Sequence, residues 1–154
     1  MISDGITLKS PREDGRLHMG PSSVVPLATA EDTSGRYSLV EVRDEPGSGP
    51  PMHRHQQEDE AFYILEGEYE IYSQDGLVTR AGPGTYILVH QGTIQGYRCA
   101  GPGPGRMLVI GSPGGIERFF AELDALGRAG EYEPVKVGAV AAQHHIEVVG
   151  PPPS

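Results

Sequence analysis

The chain has 154 residues and a formal net charge of -9, and 37% of its residues are hydrophobic. This length suits one small domain with a single core. The negative charge argues against nucleic acid as a partner, because it would repel the phosphates. A single cysteine excludes an internal disulfide framework. Since the chain shows neither a signal-peptide pattern nor a long apolar run, we expect a cytoplasmic protein without membrane contact.

The composition favours many short strands joined by turns. The chain holds 22 glycines, 14 prolines and no tryptophan, a mixture more typical of β structure than of a helical bundle. Residues 1–34 are predicted to form an N-terminal arm, with candidate edge strands at 6–9 and 24–27. A β domain is predicted over 35–112.

The pattern changes from β to helix after this domain. Within the domain, Asp75-Gly76 marks one of several hairpins, since this pair favours left-handed turn conformations. From Ile116 to Leu126, apolar residues recur every three or four positions, which predicts a helix packed on the outside of the β domain. Residues 113–154 are therefore expected to form a helical extension and tail packed on that domain, with a second short helix over 134–145.

Two histidines and one glutamate form a candidate metal site. His53 and His55 are two residues apart, so on a strand both imidazoles leave the same face. Glu60 follows after four polar residues, which leave room for a turn that returns its carboxylate to the imidazoles. Two imidazoles and one carboxylate suit a divalent transition metal, namely Fe, Ni, Mn, Co or Zn, and leave coordination positions open.

The spacing of this segment resembles the first motif of the cupin family. Gly47, His53, His55, Glu60 and Gly67 stand at every fixed position of that motif. The resemblance implies an all-β fold, a jelly-roll barrel of two packed antiparallel sheets that holds a metal inside its mouth. It also implies a homodimer, since cupins of this size usually pair through their sheet edges.

The second cupin motif matches residues 84–99 less well. His90 stands where proline is usual, Gln95 where the fourth ligand histidine is usual, and Cys99 where asparagine is usual. Three interpretations of Gln95 stay open: a weak fourth ligand, a group that hydrogen-bonds a ligand or the substrate, or the mark of a site that has lost its metal. His90 is interpreted as a rim residue, and Glu58 and Asp59 as a solvated loop.

Several stretches are similar to bacterial single-domain cupins of the quercetin 2,3-dioxygenase-like group. They are residues 58–63, 81–85, 115–120 and 146–153. The similarity implies a metal-dependent oxygenase that acts on a small enolic, polyphenolic or polyketide-like substrate. Glu60 is then both a ligand and the candidate base that removes the enolic proton.

Five aromatic residues are candidates for the walls of a substrate pocket: Phe62, Tyr63, Tyr72, Tyr86 and Tyr97. Two alternatives to the oxygenase remain. The same metal site serves isomerisation, cyclisation or lyase chemistry, because each of these reactions also needs a stabilised enolate. A non-catalytic protein that binds small molecules in its barrel is the other alternative.

Overall fold

The computed structural model describes residues 2–10 and 12–154, and for Ile2 and Ser3 it describes the backbone alone. Met1 and Pro11 of the predicted arm lie outside the described residues. The strands are β1 (Ile2–Ser3), β2 (Ile6–Thr7), β3 (Leu17–Met19), β4 (Ser22–Ala28), β5 (Ser38–Asp44), β6 (Met52–His55), β7 (Asp59–Glu66), β8 (Tyr69–Ser73), β9 (Gly76–Ala81), β10 (Tyr86–Val89), β11 (Gln95–Cys99), β12 (Gly105–Ser112) and β13 (Ile146–Gly150). The helices are α1 (Ile116–Arg128) and α2 (Pro134–Gln143), and Glu13–Gly15 form one 3-10 turn.

Two antiparallel sheets face each other and form the body of the molecule. The larger sheet has the order β10-β7-β12-β5-β4-β3, and the smaller sheet has the order β13-β6-β11-β8-β9. The core between them includes Val40, Ile64, Met107 and Cys99, which are fully buried. These residues alternate with outward-facing neighbours, as expected for strands with one face on a core. The all-β jelly-roll fold predicted from the sequence is confirmed.

Gly67 shows why the first motif requires glycine at its end. Its φ of +81° lies in the left-handed region, and an added Cβ would lie 2.7 Å from the carbonyl oxygen of Pro104. This residue closes the turn between β7 and β8, so it connects the larger sheet to the smaller one.

The N-terminal segment differs from its prediction. The strand expected at the edge over 24–27 is β4, which lies inside the larger sheet and pairs with both β3 and β5. The larger sheet therefore begins at Leu17, before the boundary expected at residue 35. Val24 is fully buried, and this apolar contact with the core explains why the segment joins the sheet. The other candidate edge strand, over 6–9, contains β2, which pairs with β1.

The C-terminal segment contains both predicted helices and a strand. Helix α1 packs against β3, and α2 packs against β13. The tail that was expected only to pack on the barrel forms β13, which pairs with β6 and so extends the smaller sheet beside the two histidines. No helix in the described part of the chain combines the length and apolar character needed to cross a membrane.

The outer face of β7 and β10 carries exposed aromatic rings. Tyr63 and Tyr86 are paired across the two strands and are 43% and 61% exposed. The homodimer expected from the sequence stays a prediction.

A buried carboxylate at the far end of the core is held by two hydroxyl groups. Asp44 is 2% exposed, and it accepts hydrogen bonds from the Ser22 hydroxyl at 2.6 Å and from the Tyr69 hydroxyl at 2.7 Å. Burial raises the pKa of Asp44, although both hydrogen bonds act in the opposite direction.

We expect Tyr69→Phe to lower the free energy of unfolding by about 1–3 kcal/mol, because it leaves the buried Asp44 with one partner fewer. Tyr72→Phe is the matched control, since its hydroxyl bonds only the outer-face Glu70, and we expect a change within about 0.5 kcal/mol. Chemical denaturation measures both values. Equal losses in the two variants would contradict the structural role of the Asp44–Tyr69 contact.

Candidate metal centre

The predicted ligands come from facing sheets. His53 and His55 lie on β6 of the smaller sheet, and both rings point inward while Arg54 between them faces out and binds Glu147. Glu60 lies on β7 of the larger sheet. The turn between β6 and β7 therefore carries the chain from one sheet to the other and places the carboxylate opposite the imidazoles.

The three side chains form one buried cluster. His53, His55 and Glu60 are 9%, 5% and 5% exposed, and one ligand atom from each lies within 4.8 Å of the others. The Nε2 atom of His55 is 3.4 Å from Oε1 of Glu60. Among the described residues, no other group of three or more histidine, cysteine or acidic side chains has this arrangement.

Each imidazole is oriented by an acceptor on its outer nitrogen. Nδ1 of His53 lies 2.7 Å from the carbonyl oxygen of Pro51, and Nδ1 of His55 lies 2.6 Å from Oε1 of Glu58. Since a carbonyl and a carboxylate only accept, both Nδ1 atoms carry a proton, and Nε2 is the nitrogen through which each neutral ring would bind a metal. Two such nitrogens beside a carboxylate fit a divalent transition metal.

The cluster contains a buried ion pair when no metal is bound. Burial and the neighbouring positive charge of His55 lower the pKa of His53. Burial also acts to lower the pKa of His55, but the charge of Glu60 and hydrogen bonds to Glu58 and Glu60 outweigh it and raise the pKa to about 10. For Glu60, burial acts to raise the pKa, and the contacts with His55 overcome it and lower the pKa. At neutral pH, His55 is therefore positively charged and His53 is neutral.

Gln95 is a neighbour of a candidate ligand. Its side chain is 4% exposed, and its Nε2 atom donates a hydrogen bond of 2.8 Å to Oε1 of Glu60. On β11, Gln95 pairs directly with His53. This contact supports the interpretation that Gln95 orients Glu60, rather than the interpretation that its amide oxygen is a fourth ligand.

Glu58 was missed as a residue of the site. Interpreted from the sequence as part of a solvated loop, it has a side chain only 14% exposed, because it turns inward to His55. One feature of the sequence could have indicated this role. Glu58 stands three residues after the candidate ligand His55, within the turn that connects the two ligand strands. Asp59, its neighbour, is exposed and accepts a hydrogen bond from the backbone of Gln91.

The candidate ligands open into a cavity of about 130 Å³ whose walls are mainly apolar. Two of the five aromatic candidates, Phe62 and Tyr97, line this cavity. Tyr63, Tyr72 and Tyr86 do not line it. Side chains alternate along each strand, so Tyr63 faces away from Phe62 toward the paired Tyr86 on the outside. Tyr72 also lies on the outer face, where its hydroxyl contacts Glu70.

The C-terminal helices form part of the cavity wall, which the sequence did not indicate. The apolar stripe of α1 was expected to pack on the outside of the β domain, but Phe119, Phe120 and Leu123 line the cavity together with Val137 of α2. Strand β13 contributes Ile146 on the same side as the histidines. The helical extension is therefore one wall of the candidate site.

We expect Glu58→Ala to weaken the binding of a divalent metal about 10- to 100-fold, because Nδ1 of His55 loses the acceptor that orients the ring. Asp59→Ala removes the neighbouring carboxylate, at the start of β7, without removing a contact to a candidate ligand, so it is the matched control and should bind as the wild type does. Titration of the metal-free proteins with Zn²⁺ measures both affinities. Equal weakening in the two variants would show that only the charge of the turn matters.

Metal binding should release about one proton per ion near neutral pH. His55 is protonated in the metal-free protein below its pKa of about 10, while His53 is neutral, so one proton must leave before both imidazoles can bind. The affinity should consequently rise about tenfold per pH unit between roughly pH 7 and pH 9. Calorimetry in buffers of different ionisation enthalpy counts the protons released. An affinity independent of pH in this range would exclude the ion pair.

Comparisons with known proteins agree with this architecture. The family model for the cupin domain matches residues 40–111. Quercetin 2,3-dioxygenase of Bacillus subtilis (strain 168) is 29% identical over 111 residues, which are 72% of this chain and 32% of that protein. The chain thus spans about a third of the length of this relative.

Solved structures share the fold. Ectoine synthase from P. lautus superposes with a TM-score of 0.63 at 18% identity, covering 97% of this chain and 94% of that one. The polyketide cyclase RemF from Streptomyces resistomycificus gives a TM-score of 0.60 at 22% identity, covering 70% and 80% of the two chains. These matches show that the chain has the cupin fold, and the family model over residues 40–111, the two-sheet architecture and the motif around His53 agree with it.

Proposed function

We propose that this chain is a metal-dependent enzyme that acts on a small enolic substrate, with oxygenase chemistry as its reaction. The observation that carries this proposal is the buried cluster of His53, His55 and Glu60 at the wall of an apolar cavity. Two imidazoles and one carboxylate with open positions are typical of non-haem iron oxygenases. The name of the Bacillus relative supports the same reaction class.

The cavity limits the size of the substrate. Its volume of about 130 Å³ is below the roughly 300–1,000 Å³ of pockets for drug-sized ligands. A small ring or short chain with one enolic end fits better than a large polyphenol. Phe62, Phe119 and Phe120 would contact the apolar body, and the enolic oxygen would lie at the candidate ligands.

Different residues of the chain would take different roles in the proposed reaction. A divalent metal bound here would act as a Lewis acid that lowers the pKa of the enolic hydroxyl. Glu60 borders the cavity and can accept the proton of that hydroxyl at its carboxylate. Gln95 holds Oε1 of Glu60 and so fixes the direction of the carboxylate. Apolar side chains of α1 and α2 would contact the body of the substrate.

A reaction without oxygen is the second candidate, and the contact between Gln95 and Glu60 favours it. A neutral amide stands where cupins usually have a fourth imidazole, and here it supports the carboxylate that can move a proton. Isomerisation, cyclisation or lyase chemistry needs such a base and needs no change in the oxidation state of the metal.

The test compares turnover of small enolones by metal-loaded protein in air and under anaerobic conditions. We expect consumption of the enolone with an equimolar uptake of O₂ in air, because the proposed reaction incorporates oxygen. His55→Ala should lose this activity, while Tyr86→Phe, altered only on the outer face, should keep it. Product formation in the absence of O₂ would support the second candidate. Binding without turnover under either condition would contradict both enzymatic proposals and favour a binding protein.

A further inference from the structure

Tyr97 is held rigidly at the wall of the cavity. Its ring makes edge contacts with Phe62 at 5.7 Å and with Tyr69 at 5.5 Å between ring centroids. The backbone behind it is fixed as well, because Gly49 approaches so closely that an added Cβ would overlap the carbonyl oxygen of Tyr97. The Tyr97 ring is therefore held in one position in the cavity wall.

The hydroxyl of Tyr97 has no hydrogen-bond partner among the described residues, although the side chain lines the cavity. Other hydroxyls of this region are paired: Ser22 and Tyr69 both bind Asp44. Tyr132 also lines the cavity, but it is 41% exposed, so water can reach it. Tyr97 is half-buried in the cavity wall, so its hydroxyl is free to bond to water or to a ligand inside the cavity.

Apart from the exposed Tyr132 and from Ser22, whose hydroxyl is bonded to Asp44, the cavity wall has two separate polar positions. One is the cluster of His53, His55 and Glu60, and the other is the Tyr97 hydroxyl. Tyr97 lies two residues beyond Gln95 on β11, which is about 7 Å along the strand. A substrate that meets both positions needs an oxygen at each end of a small apolar body.

We infer that Tyr97 determines specificity by donating a hydrogen bond to a second oxygen of the substrate, distant from the enolic end. The substrate class is then a small enolone with a further hydroxyl or carbonyl group across the molecule. This inference rests on the proposed function, since it takes the enolic end to lie at the metal ligands.

The test uses two hydroxypyranones that share the same chelating enolone. Kojic acid carries a hydroxymethyl group across the ring where allomaltol carries a methyl group, so the pair differs by one oxygen. Calorimetric titration of Zn²⁺-loaded and metal-free protein measures the affinity for each probe, and the metal content is determined after each titration. Tyr97→Phe removes only the hydroxyl, and Tyr72→Phe removes a hydroxyl from the outer face as the control.

We expect the metal-loaded wild type and Tyr72→Phe to bind kojic acid about 2- to 12-fold more tightly than allomaltol, as expected for one net hydrogen bond. Tyr97→Phe should reduce this ratio to about 1 without changing the bound metal. A ratio near 1 in the wild type, or a ratio that survives in Tyr97→Phe, overturns the inference and leaves the proposed function intact. If neither probe shows binding that depends on the metal, the proposed function fails, and the inference fails with it.

Discussion

The candidate site depends on one short crossing between two sheets. After His55 the chain leaves the smaller sheet, and within five residues it places Glu60 in the larger sheet. Because the sheets face each other, this crossing brings the carboxylate opposite the imidazoles. Glu58 lies within the crossing and binds the outer nitrogen of His55, so the same turn connects the strands and orients a ligand.

Burial makes the charges of this site interdependent. A carboxylate or an imidazolium alone in the interior would be costly, and each is tolerated here because the other lies beside it. Glu60 gains two partners, His55 and Gln95, while His53 stays neutral and is held by a backbone carbonyl. A divalent ion would supply the positive charge that the proton on His55 supplies in the metal-free protein. Metal binding and protonation of His55 therefore compete.

The C-terminal segment completes the cavity that the barrel leaves open. Helices α1 and α2 supply apolar walls, and β13 pairs with the strand of the two histidines. The size and chemistry of the cavity consequently depend on residues far in sequence from the cupin motifs. Cupin folds with the same ligands and different extensions would enclose different spaces, which is a physical reason why the fold alone does not identify a substrate.

The sequence by itself determined the candidate cluster of His53, His55 and Glu60, because strand alternation and turn spacing are local properties of the chain. It indicated the jelly-roll fold through the resemblance of this segment to the first cupin motif. It did not separate Phe62 and Tyr97 from the outward-facing tyrosines, since the direction of a side chain depends on which face of its sheet is covered. Only the tertiary structure decided that Gln95 contacts Glu60. That contact joins strands of opposite sheets, 35 residues apart, so no local pattern encodes it.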